Sequence, residues 1–132
     1  MASIRIETFV AVSLEKAWAA LRDVGAVHVR LARGFVTDCR LEEDARIVIF
    51  ANGFVAKELI VDVDDSALRL AYAVSGGERL LHHNASFQLQ PENGGTRIVW
   101  VADILPNSAE PIIRGMMEEG SEAMRRTLEQ SA

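Results

Sequence analysis

A chain of 132 residues is long enough for one domain with a real hydrophobic core and short for two. Its formal net charge is −5, from 14 basic against 19 acidic residues, so it carries no electrostatic footprint for nucleic acid. One cysteine, Cys39, excludes an internal disulfide and a cysteine-built zinc site, and no apolar run approaches the ~20 residues of a membrane span.

The first residues, MASIRIETFV, read as a strand and lack the basic-then-apolar layout of a signal peptide, which predicts a soluble cytoplasmic domain. Over Ser3–Val12 the apolar positions Ile4, Ile6, Val10 and Val12 alternate with Arg5, Glu7 and Ala11, the pattern of a half-buried strand. Ser13 offers an N-cap to a helix in which Leu14, Ala17, Trp18 and Leu21 recur at helical spacing through Asp23. Between Gly25 and Gly34 a second short helix is expected.

From Phe35 to Val101 the pattern changes to a meander of strands. Strands are predicted over about Phe35–Glu42, Arg46–Ala51 and Phe54–Val63, with Glu43-Asp44 as one turn and Asn52-Gly53 as a two-residue hairpin loop. After Asp64-Asp65-Ser66, Leu68, Leu70, Tyr72 and Val74 share one parity. After Gly76-Gly77-Glu78, His83, Ala85, Phe87 and Leu89 share another, and beyond Asn93-Gly94-Gly95 so do Ile98, Trp100, Ala102 and Ile104. The last element is a helix over Ser108–Glu129, with Asn107 and Glu110 at capping-box spacing and Pro111 in the first turn. It lines up Ile113, Met116, Met117, Gly120, Met124 and Leu128 on one face, and Arg114, Glu118, Glu122, Arg125 and Glu129 on the other. Strands run together and helices set apart predict an α+β fold: a curved seven-stranded antiparallel sheet gripping one long helix.

The order of elements and several short motifs resemble the helix-grip (SRPBCC) superfamily of START domains, birch-pollen allergens and polyketide cyclase/dehydratase-like proteins, and within it the polyketide cyclase-like branch. The motifs are SLEKAWAALRD (Ser13–Asp23), Asn52-Gly53, KELI (Lys57–Ile60), Asp64-Asp65, LAYAVSGG (Leu70–Gly77) and TRIVW (Thr96–Trp100). The likeness runs from about Ile4 to Leu128. It implies an apolar cavity between the concave sheet face and the C-terminal helix. It further implies that the loop Gly76, Gly77, Glu78, Arg79 gates that cavity, and that Glu58 faces into it. In the plant hormone receptors of this superfamily a basic residue near the position of Thr37 binds a carboxylate; Thr37 is neutral.

One helix cannot cover all the inward positions of such a sheet, and a cavity is expected, lined by Tyr72, Val74, Phe87 and Trp100 from strands and by Ile113, Met116, Met117 and Gly120 from the helix. Glycine at the centre of a buried stripe costs about 1 kcal/mol of helix propensity. Gly120 therefore reads either as a close approach of helix to sheet or as clearance over a cavity. Methionines on the same face suit an adaptable pocket and plain core equally. Trp100 and Tyr72 are rigid surfaces with polar handles, suited to lining an apolar site or to packing.

Two titratable residues stand out. His83 points inward on the strand's parity and His82 outward, unless the register slips by one, which would turn His82, Asn84 and Ser86 inward. An inward imidazole is either a satisfied core or rim group or a proton-transfer group near neutral pH. Glu58 reads as a pocket carboxylate or as an exposed strand residue beside Lys57. Asp103 falls on the outward parity near the helix start. His82 and His83 point to opposite faces and cannot chelate one ion, so no metal and no cofactor is expected. Cys39 reads as a small buried hydrophobe. The reading that results is a module that binds a small hydrophobic or aromatic molecule. A polyketide cyclase/dehydratase-type enzyme using His83 and Glu58 is the second reading, and a protein-interaction module of the co-chaperone kind the third.

Overall fold

The computed structural model describes residues 2–75 and 80–131. Strand β1 (Ala2–Val10) leads into helix α1 (Leu14–Arg22), whose first turn is capped by Ser13: its Oγ accepts from the Lys16 N–H at 3.2 Å. A π-helical turn over Val27–Leu31 replaces the second short helix expected between Gly25 and Gly34. It buries Val27 and Leu31.

Strands β2 (Val36–Leu41), β3 (Ala45–Phe50), β4 (Val55–Asp64), β5 (Arg69–Ser75), β6 (His82–Glu92) and β7 (Gly95–Leu105) follow in a meander. One sheet results, in the order β1-β7-β6-β5-β4-β3-β2, with every neighbouring pair antiparallel. The β6–β7 hairpin closes on Asn93 and Gly94, both at positive φ (47° and 80°), so Glu92 faces Gly95 across a two-residue loop. The β3–β4 loop differs from expectation. Phe50 N–H donates to Phe54 O, leaving a three-residue loop, Ala51–Gly53, with Gly53 at φ 92°. Leu68 also leaves its strand: it sits at φ 55° in the turn that Asp64 Oδ1 organises by accepting from the Ser66 and Ala67 N–H groups.

A 3₁₀ turn (Asn107–Ala109) leads into the long helix α2 (Glu110–Gln130). The expected capping box does not form. The N-cap is Ala109, without a side-chain hydrogen bond, and Pro111 in the first turn removes one of the donors that would need a partner. The buried face of α2 carries Met117, Gly120, Ser121, Ala123, Met124, Thr127 and Leu128; of the predicted stripe, Ile113 and Met116 are only half-buried. Among the described residues no helix is long and apolar enough to cross a membrane.

Candidate functional site

The concave face of the sheet and α2 border an open-mouthed pocket of about 510 Å³. Its walls are mainly apolar. Tyr72 and Val74 come from β5, Phe87 from β6 and Trp100 from β7. Ile113, Met116, Met117 and Gly120 look in from α2. The loop Gly76, Gly77, Glu78, Arg79, expected as a gate, lies outside the described residues.

Register explains how the aromatic side chains meet. Phe87 faces Trp100 directly across β6–β7, and Tyr72 faces Ala85, one inward position from Phe87, across β5–β6. On one pleated face such neighbours touch. Phe87 stacks on Trp100 with centroids 4.8 Å apart and planes 23° apart, and Tyr72 on Phe87 at 6.0 Å and 25°. The Trp100 Nε1–H donates to the Tyr72 hydroxyl at 3.1 Å. Burial, and next the nearby Glu58 charge, push the Tyr72 phenol far above its ordinary value, so it stays neutral.

Gly120 sits where α2 meets ring side chains. A Cβ built there would stand 3.0 Å from the Phe35 ring and 3.2 Å from the Trp100 indole, and both rings line the cavity. The helix comes close to side chains that are themselves cavity wall.

At the other end of the wall lies a charged pair. Glu58 on β4 faces Arg46 on β3 across the ladder. The Arg46 Nε–H donates to Glu58 Oε1 at 2.8 Å, and Nη1–H donates to the Val24 carbonyl at 3.3 Å. Arg46 is 3% exposed and Glu58 7%. The Arg46 guanidinium also lies 5.6 Å from the Tyr72 ring centroid, within cation–π range. Glu58 is thus inward and buried, not exposed beside Lys57, and it is already paired. Arg46 escaped the sequence reading. Its signal was its shared parity with Val48 in β3, hidden because a two-residue Asn52-Gly53 loop would place Arg46 opposite Leu59.

His83 takes the inward position, with no slip of register: it pairs with Ile104, and His82 is exposed. The imidazole lines the cavity 6.4 Å from the Tyr72 ring centroid, and its buried Nδ1 has no hydrogen-bond partner among the described residues. Burial, helped by His82, lowers its pKa, which keeps the ring neutral at pH 7. Asp103 points away from the cavity and accepts from Ser3 Oγ at 2.6 Å. Cys39 is half-buried, directs Sγ at the Val24 carbonyl 3.6 Å away, and has its thiol pKa raised by burial, the opposite of an activated nucleophile. No cluster of three or more His, Cys, Asp or Glu side chains able to hold a metal forms among the described residues.

A family model described as polyketide cyclase/dehydrase and lipid transport matches residues 1–131. Three solved structures share the fold at low identity. An uncharacterized protein from Bacillus thuringiensis is 14% identical with TM-score 0.85, covering 96% of this chain and 98% of its own. XoxI from Bacillus cereus is 14% identical with TM-score 0.86, covering 97% and 96%. Ara h 8.0201, a Bet v 1 allergen, is 15% identical with TM-score 0.74, covering 96% and 97%. No curated protein matches the chain.

Proposed function

Because the chain belongs to the polyketide cyclase/dehydrase and lipid-transport family, we propose that it binds a small hydrophobic or aromatic molecule between its sheet and α2. The observation that carries this reading is the stacked row Tyr72–Phe87–Trp100 along a largely apolar cavity of about 510 Å³, within the size range of small-molecule sites. Phe54, Val55 and Ile112 line the same cavity and are 58%, 61% and 63% exposed, which supports a mouth through which an apolar molecule reaches the interior. Native mass spectrometry of freshly purified protein is the test. A one-to-one adduct, displaced by a naphthalene-type probe and lost in a folded Gly120→Leu variant, is expected. A folded protein that carries no adduct and takes up no apolar probe overturns the reading.

A second reading, a cyclase- or dehydratase-type proton transfer, is favoured by the unpartnered, neutral imidazole of His83. Its neutral form is the one a general base needs. Glu58, the other candidate, would act from within its pair with Arg46. Turnover of a polyketide-like substrate that falls roughly 10²–10⁴-fold in His83→Asn and Glu58→Gln, with ligand affinity measured alongside, supports this reading. Equal turnover in parent and variants removes it.

A further inference from the structure

We infer that the polar group of the bound molecule is uncharged, a hydroxyl rather than a carboxylate, and that the Arg46–Glu58 pair enforces this choice. The inference rests on the binding reading above and names the chemistry of its ligand.

Among the described residues Arg46 and Glu58 are the only charged side chains lining the cavity, and they neutralise each other at 2.8 Å. Arg46 uses one N–H on Glu58 and another on the Val24 carbonyl; its Nη2 and the Glu58 Oε2 make no hydrogen bond to any described residue. A guanidinium has five N–H donors and a carboxylate two acceptor oxygens, so this end of the cavity offers a free donor beside a free acceptor. A hydroxyl, which both donates and accepts, answers that pair. A carboxylate only accepts. It would enter a site of no net positive charge and meet the Glu58 anion, giving up its hydration without a compensating counter-ion. Beyond the pair the wall continues into Tyr72 and then the stacked Phe87 and Trp100, each ring plane within 25° of the next. A flat apolar body fits there with its hydroxyl at the ion pair, which places the ligand in the class of neutral hydroxylated aromatics.

The test compares three probes of one shape, 2-naphthol, 2-naphthoate and 2-methylnaphthalene, by calorimetric titration at pH 7. The wild-type protein is expected to bind 2-naphthol roughly tenfold or more tighter than 2-naphthoate. In Glu58→Gln the Arg46 charge loses its partner, and the order reverses in favour of 2-naphthoate. Should that variant not fold, Arg46→Met/Glu58→Leu, which fills the space with apolar groups, is expected to lose the preference for 2-naphthol over 2-methylnaphthalene. Equal wild-type affinity for 2-naphthol and 2-naphthoate overturns the inference and leaves the cavity reading intact. So does an unchanged preference in either folded variant. Failure of all three probes to bind the wild type overturns the cavity reading and this inference with it.

Discussion

Strands β1, β6 and β7 and strands β2, β3 and β4 carry similar alternating patterns but meet different fates. On the first set Ile4, Ala102 and Ile104 are wholly buried and Leu89 and Ile98 nearly so. On the inward face of β4, by contrast, Glu58 is the only buried residue, and its neighbours Ala56 and Ile60 are half-buried. The helix makes the difference: α2 packs closest on β1, at one edge of the sheet, and on the π-helical turn at Val27–Leu31. The inward faces of β3–β5 border the cavity instead. One half of the sheet is thus a core, and the other a cavity wall where a charged pair is tolerated.

The largest expected effect comes from unpairing the charges on the open half. Arg46→Met strands Glu58 as a buried carboxylate and should cost about 3–5 kcal/mol in urea unfolding, most of it recovered in Arg46→Met/Glu58→Leu. A double variant no more stable than the single one would show that the pair is not coupled. On the packed half Ile104→Ala should cost about 2–5 kcal/mol, because the hole it leaves cannot collapse. Val55→Thr, on the exposed wall, should change stability by about 0.5 kcal/mol or less. Similar costs at the two sites would erase the contrast between the halves.

A smaller effect is expected where the halves meet. Gly120→Leu pushes against Phe35 and Trp100 and should lose about 1–3 kcal/mol to overpacking, offset by about 1 kcal/mol of helix propensity. Stability close to the parent's, together with loss of probe binding, would show that the new side chain has entered the cavity instead. The smallest effect belongs to His83. Its folded pKa lies below the ordinary 6.5, so between those two values the unfolded chain binds more protons than the native one. Stability should therefore fall as pH drops through about 6.5, until the folded pKa is passed, and His83→Gln should flatten that limb of a pH series of melts. An unchanged slope in the variant would mean that His83 is as well solvated in the folded protein as in the unfolded one.

The elements legible in the sequence are those built from neighbours. Alternation placed Tyr72, Phe87 and Trp100 on inward faces, and the same parity turned His83 in and His82 out. Asn93-Gly94-Gly95 marked a turn, and Asn93 and Gly94 take the positive φ, 47° and 80°, that its two-residue loop requires. The α2 stripe followed from helical spacing alone, although its start did not: Asn107 belongs to a 3₁₀ turn, where its side chain caps nothing.

What tertiary structure alone decided are the relations between distant segments. The one-residue difference in the Ala51–Gly53 loop put Arg46 opposite Glu58 rather than Leu59, and in a sheet such a step exchanges the faces. The pairing of β1 with β7, which carries Ile4 to Ala102, joins the two ends of the chain and has no local signal. It is also what sets α2 beside β1 and leaves the space over β3–β5 open. Periodicity and turn chemistry report on residues a few positions apart, so they identify which side chains face inward. Whether those side chains meet a helix or an empty volume depends on contacts between residues a hundred positions apart in the chain, and only the folded molecule holds them together.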